Sequence, residues 1–126
     1  MFAQDNFSKW LGVEVLEASE GRCILRMTVR EEMTNGFGTA HGGIVFAFAD
    51  TALAFCTNAS GLTSVALDCT ISYPAATRPG DVLTAVGVQE TTTRRTGFAS
   101  VTITNQDGQT VGHFRGTVYR TDKPHR

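Results

Sequence analysis

A chain of 126 residues, 41% apolar and 18% charged, holds enough material for one domain with one core and is neither a disordered nor a membrane-embedded sequence. Eleven basic and twelve acidic residues leave a net charge of -1, without the basic excess of a nucleic-acid binder. Three cysteines, Cys23, Cys56 and Cys69, make neither a disulfide framework nor a metal-ligand spacing, and their apolar neighbours suggest core thiols in a reducing compartment.

Residues 3–11 suggest a short helix with Phe7, Trp10 and Leu11 on one side. From Val13 the period becomes two. Val13 to Glu17 is a weak strand, Ser19 to Gly21 a turn, and Cys23, Leu25, Met27 and Val29 alternate with more polar residues in a second strand. Residues 30–40 are a loop of turn formers. His41-Gly42-Gly43 then opens a segment that is apolar or small on nearly every helical face as far as Asn58, with Gly61 as its stop; such a helix is expected to be buried all round. Four strands follow. The first sets Val65, Leu67, Cys69, Ile71 and Tyr73 in an apolar row opposite Ala66, Asp68, Thr70 and Ser72. The others cover about 81–91, with Val82, Thr84, Val86 and Val88 on one face, 97–105, which places Ala99, Val101 and Ile103 together, and 109–120, with a hairpin turn at Gln106 to Gly108 and a flexible tail from Thr121 to Arg126. Strands segregated from one long helix predict a single α+β domain over 1–126, its antiparallel sheet wrapped around that helix. No secretory leader is evident, and the run Ile44 to Cys56 is too short to span a bilayer, so the expected location is cytoplasmic, with no membrane or nucleic-acid partner.

Asp50 is the only charged residue between Gly42 and Ala66. A carboxylate in so apolar a helix either bonds a local hydroxyl such as that of Thr51, or reaches solvent at an interface, or serves as a general base or nucleophile. Two glycines at the helix start leave backbone N–H groups open at the positive end of the helix dipole, where an oxyanion would be stabilised. His41 beside them is a base, a cap or an orienting group. Gly42 and Asp50 lie eight residues apart, about 12 Å along one helix. One reacting carbonyl cannot touch both, so either they do not cooperate or they meet across a two-fold axis between antiparallel helices of two chains.

The stretch Asn35-Gly36, His41-Gly42-Gly43, Asp50-Thr51-Ala52 and Asn58 resembles the hot-dog-fold acyl-CoA thioesterases, most closely their phenylacetate-degradation (PaaI-type) branch. Arg95 to Gly97, Asn105 to Gly108 and Phe114 to Gly116 support the likeness. The resemblance implies a helix enclosed by an antiparallel sheet, and dimers joined edge to edge and often paired into tetramers. It also implies hydrolysis of acyl-CoA thioesters, of the phenylacetyl kind, with no metal and no cofactor beyond the coenzyme A of the substrate. By position, Asp50 matches the catalytic carboxylate, Gly42 the glycine whose N–H polarises the carbonyl, Asn35 a loop residue that places substrate or water, and His41 its neighbouring histidine. Gly43, Thr51 and Asp68 join them as substrate-binding candidates. In many relatives the third strand ends in an aromatic, Leu, then Arg-Pro. Here Tyr73-Pro74 is followed by Arg78-Pro79, so the arginine is displaced, and Arg78, Arg94 and Arg95 are the candidates for the CoA phosphates. Two other readings use the same residues: a hot-dog dehydratase pairing His41 with Asp50, and a non-catalytic acyl-CoA-binding protein.

Overall fold

The computed structural model describes residues 4–124. Helix α1 (Asn6–Leu11) leads into strands β1 (Glu14–Ser19) and β2 (Arg22–Thr28). A 3-10 turn (Glu31–Met33) and a loop precede helix α2 (Gly42–Asn58), after which come β3 (Leu62–Ser72), β4 (Val82–Thr92), β5 (Thr96–Thr104) and β6 (Thr110–Pro124). The strands form one antiparallel sheet in the order β1-β2-β4-β5-β6-β3. α2 lies against its concave face, touching β2 through β6. This is the expected α+β architecture, a sheet wrapped around one long helix.

Alternation chooses which residues line the concave face. Cys23, Leu25 and Met27 of β2, Leu83 and Ala85 of β4, Ala99, Val101 and Ile103 of β5, and Phe114 and Val118 of β6 are buried there against Val45, Phe48, Ala52, Leu53 and Cys56 of α2. The sheet closes tightly because its inner face carries no side chain where the helix comes nearest. A Cβ built at Gly116 would stand 2.5 Å from Leu53 Cδ2, and one at Gly87 would stand 3.5 Å from both Ala52 O and Cys56 Cβ of α2. Gly116→Val should therefore cost about 1–3 kcal/mol by overpacking, read as a lower urea midpoint at unchanged slope. An unchanged midpoint would mean that Leu53 swings aside freely.

Burial also explains the cysteines. All three are free thiols. Burial pushes Cys23 up to about 12 and Cys56 up to about 11, so both stay protonated and unreactive at neutral pH.

Four expectations need correction. First, α1 buries Ser8 and Leu11, whereas Phe7 (53% exposed) and Trp10 (47%) stack on each other outside, with the Arg30 guanidinium 5.0 Å from the Trp10 ring centre. A helix this short buries only the stripe facing α2; the residue-3 start expected for it lies outside the described residues.

Second, the apolar row of β3 is split. A register shift between Ala66 and Asp68 leaves Leu67 without a partner on β6. Cys69 and Ile71 pack on the core, while Val65 (48% exposed) and Leu67 (60%) do not. Third, the segment from Thr121 is no tail as far as Pro124: β6 continues there, Pro124 opposing Leu62 and the Thr121 hydroxyl donating to Thr63 O at 2.6 Å. Residues 125 and 126 lie outside the described residues.

Fourth, α2 is not enclosed on every side. The sheet covers the faces bearing Val45, Phe48, Ala49, Ala52, Leu53 and Cys56 and leaves open the stripe through Gly43, Ala47, Asp50 and Ala54. No helix among the described residues is long and apolar enough to cross a membrane.

Candidate active site at the start of the long helix

The loop before α2 is held by its own polar groups. Asn35 Oδ1 accepts from Phe37 N at 2.8 Å and Thr39 N at 3.3 Å, while Asn35 Nδ2 donates to Thr39 Oγ1 at 3.1 Å. Asn35 N donates to Thr39 O at 2.8 Å, and Thr34 bridges Ala40. An asparagine suits this work because its short amide both accepts from the following backbone and donates. The Asn35 side chain is thus spent on shaping the loop. Two backbone bonds then dock the loop onto the domain: Ala40 N to Thr77 O at 2.7 Å and His41 N to Met33 O at 2.8 Å.

His41 is the N-cap of α2. Its Nδ1 accepts from Gly43 N at 2.9 Å, and its carbonyl accepts from Ile44 N at 2.9 Å. A helix start leaves its first N–H groups without intrahelical acceptors. Here the cap takes those of Gly43 and Ile44. The Gly42 N–H has no acceptor among the described residues and stands at the positive end of the helix dipole. Of the two glycines, the structure singles out Gly42 as the open donor and uses Gly43, expected to bind substrate, in the cap.

Tyr73, which the motif comparison passed over, belongs to this turn. It follows the end of β3, and its hydroxyl donates to Gly42 O at 2.8 Å. A Cβ at Gly42 would stand 3.2 Å from Tyr73 Oη and 3.3 Å from Cζ. The tyrosine is 48% exposed, and partial burial raises its hydroxyl above the ordinary value. The only sequence signal was an aromatic closing a strand directly before proline, which does not say what the ring covers.

Asp50 stands two turns further along, on the open stripe of α2. Among the described residues it has no ion-pair or hydrogen-bond partner, and desolvation by the surrounding helix and strand raises its carboxyl above the usual 3.8. The Cys69 thiol on β3 is raised mainly by burial and further by the charges of Asp50 and Asp68. Asp50 is therefore open to solvent in the single chain, not buried as the composition of the helix suggested. Nor does Thr51 bond it: the Thr51 hydroxyl donates to Ala47 O at 2.9 Å and lies 3.4 Å from Ser8 Oγ, on the buried side toward α1. Thr51 is thus absent from the open face where it was expected to meet substrate.

The remaining candidates disperse. Asp68 lies on the convex face of the sheet, alternating with the inward Cys69, and is exposed. Arg78 is beside Thr77, whose carbonyl holds the loop, and so comes to the Gly42 end of the domain. Arg94 and Arg95 sit in the β4–β5 turn at the other end. Arg95 pairs with Asp122 at 3.1 Å, and Arg94 borders a hollow of about 50 Å³ with Ser60, Ser64 and Arg120. Among the described residues no group of three or more His, Cys, Asp or Glu converges as metal ligands.

The comparisons fit this geometry. The model of the thioesterase superfamily matches residues 37–112. The acyl-coenzyme A thioesterase PaaI of Escherichia coli (strain K12) is 38% identical over 120 residues, covering 95% of this chain and 86% of that protein. The solved structure of the E. coli PaaI protein from the phenylacetic acid degradation operon superposes with a TM-score of 0.96 at 37% identity, over 98% of this chain and 90% of that one. A hypothetical thioesterase from Streptococcus pneumoniae TIGR4, solved with coenzyme A, is similar at a TM-score of 0.86 and 30% identity, over 90% of this chain and 88% of that one. The chain belongs to the thioesterase superfamily, a thioester hydrolase built on the hot-dog fold.

Proposed function

We propose that this protein is a homo-oligomeric acyl-CoA thioesterase whose sites each combine Gly42 of one chain with Asp50 of its partner. The observation that carries this reading is the Gly42 N–H, which has no acceptor among the described residues once the cap is made. A thioester carbonyl set against it gains charge as it is attacked, and the N–H stabilises that charge. The relatives supply the substrate class: one is named an acyl-coenzyme A thioesterase, and another was solved with coenzyme A. Arylacetyl thioesters are the favoured acyl class, supported by the phenylacetic acid degradation operon of the E. coli relative.

The chemistry balances without a cofactor. In one route the carboxylate takes a proton from water as the water oxygen bonds to the thioester carbon. Collapse of the adduct breaks the C–S bond, and the CoA sulfur leaves as thiolate. In the other, the carboxylate itself attacks, CoA leaves, and water opens the resulting anhydride. A single turnover in labelled water separates them, since only the anhydride route can place solvent oxygen in the Asp50 carboxyl.

Two features support a shared site. The Asp50 stripe of α2 is open, and β3 is an edge strand that exposes Val65 and Leu67. Pairing β3 with a second copy would cover both and set the two helices antiparallel. It would also carry Arg94 and Arg95, which lie beyond the end of α2, toward the partner's Gly42, making them candidates for the CoA phosphates alongside Arg78. A dehydratase reading loses its base, because His41 Nδ1 is already the acceptor for Gly43 N.

The direct test is thiol release across arylacetyl, aroyl, short-chain and long-chain acyl-CoAs, with mass measured by light scattering at micromolar protein. The expected result is fastest turnover with arylacetyl-CoA at a mass of at least twice 13.6 kDa. A fully active monomer would end the shared-site mechanism, and no thiol release from any acyl-CoA would end the functional reading.

A further inference from the structure

The open donor stands at a pair of glycines with no Cβ to restrict them. Its N–H belongs to the peptide joining His41 to Gly42, and the carbonyl of the same residue lies on the next peptide, which joins Gly42 to Gly43. In this structure both its polar ends are held. Tyr73 Oη donates to the Gly42 carbonyl at 2.8 Å, and the Gly43 N–H donates to His41 Nδ1 at 2.9 Å. One clamp comes from within the loop. The other comes from 31 residues away, at the end of the edge strand β3. The three nearest neighbours of a Cβ built at Gly42 all belong to the Tyr73 ring, at 3.2, 3.3 and 3.8 Å. That ring therefore closes one side of the turn.

We infer that Tyr73 is the positioning residue of the oxyanion donor: its hydroxyl holds the carbonyl of Gly42 and its ring lies against the Cα, which together fix the residue that carries the donor N–H, and the ring is the reason position 42 is glycine. This rests on the reading of the Gly42 N–H as the donor to the thioester carbonyl. A donor free to rotate binds the ground state nearly as well but stabilises the developing charge less, so the effect belongs in kcat. A ring held against the Cα further predicts that the cost of a side chain at position 42 depends on Tyr73.

The experiment is a set of variants of the full-length protein assayed by thiol release, with a thermal melt of each. Tyr73→Phe keeps the ring and removes the hydroxyl; kcat should fall about tenfold with KM within about twofold. Gly42→Ala keeps the N–H and adds only the Cβ. It should cost about tenfold or more beside the native ring but less than about threefold in a Tyr73→Ala background, where the space is open. Unchanged kcat in Tyr73→Phe, or an equal cost of Gly42→Ala in both backgrounds, overturns the inference. Gly42→Pro in the Tyr73→Ala background removes the N–H with the ring already gone. If that double variant matches Tyr73→Ala in turnover, the donor reading itself fails. If it is inactive while Tyr73→Phe is normal, the donor stands and only the role of Tyr73 falls. Should Tyr73→Ala not fold, the kcat and KM of Tyr73→Phe decide alone.

Discussion

Replacing Asp50 by Asn is expected to lower turnover by about 10²–10⁴, the usual range for losing a general base or nucleophile. The change removes charge with little change in volume. The chain should fold unaltered, because Asp50 stands on the open stripe of α2 with no ion-pair or hydrogen-bond partner among the described residues to lose. The sign of the stability effect follows from the raised carboxyl. A group whose pKa is higher in the folded state contributes stability below its unfolded value, near 3.8, and loses it as pH rises through the folded value. At neutral pH Asp50 therefore opposes folding slightly, and Asp50→Asn should be neutral or mildly stabilising there. The catalytic role has the opposite dependence: the ionised form is needed, so kcat/KM of the native enzyme should fall on the acid side with a midpoint above 3.8. Thiol release as a function of pH and a urea titration at pH 7 check both. Near-normal turnover in the Asn variant would make Asp50 an interface residue and nothing more.

Mixing two inactive proteins should restore activity. Gly42→Pro deletes the open N–H at the first position of the helix, a place that tolerates proline, and is expected to cost about 10²–10³ in turnover. Gly42 is not among the glycines with positive φ, so the backbone there is open to proline. Because a Cβ at this position meets Tyr73, Gly42→Ala is the steric control, and only the loss beyond Ala belongs to the N–H. Co-refolding Gly42→Pro with Asp50→Asn makes half of the dimers mixed. In each mixed dimer one site carries both lesions and the other joins native Gly42 to native Asp50, so about a quarter of wild-type activity should return if the sites act independently. With both groups serving one site from a single chain, every site would carry a lesion and nothing would return. Mass spectrometry of the refolded mixture confirms that heterodimers formed. Their presence without recovered activity would overturn the pairing of Gly42 and Asp50 across subunits.

The strands, the long helix and the turn at Gln106 to Gly108 were legible in the residues because each rests on a pattern only a few positions long. Alternation grouped Cys23, Leu25 and Met27, and Ala99, Val101 and Ile103, and all are buried; the β4 face it grouped, Val82, Thr84, Val86 and Val88, is the outer one, since Leu83 and Ala85 turn inward. The turn after β5 forms as its residues require, with Gly108 at φ +76° and Asn105 Oδ1 accepting from Asp107 and Gln109. The motif of loop and helix, together with the eight-residue separation of Gly42 and Asp50, carried the family and the argument for two chains. What the residues alone could not supply was the partner of each polar group. That Thr51 faces Ser8 and that Asp50 faces outward depends on where α2 settles. A helix with so little contrast between its faces gives no local sign of which will be covered. Tyr73 meets Gly42 because β3 pairs with β6 at the edge of the sheet and not with its neighbours in sequence, whereas Arg78 parts from Arg94 and Arg95 because they lie beyond opposite ends of β4. Strand order is a long-range choice, settled by how the whole chain closes around the helix, and no window of a few residues encodes it.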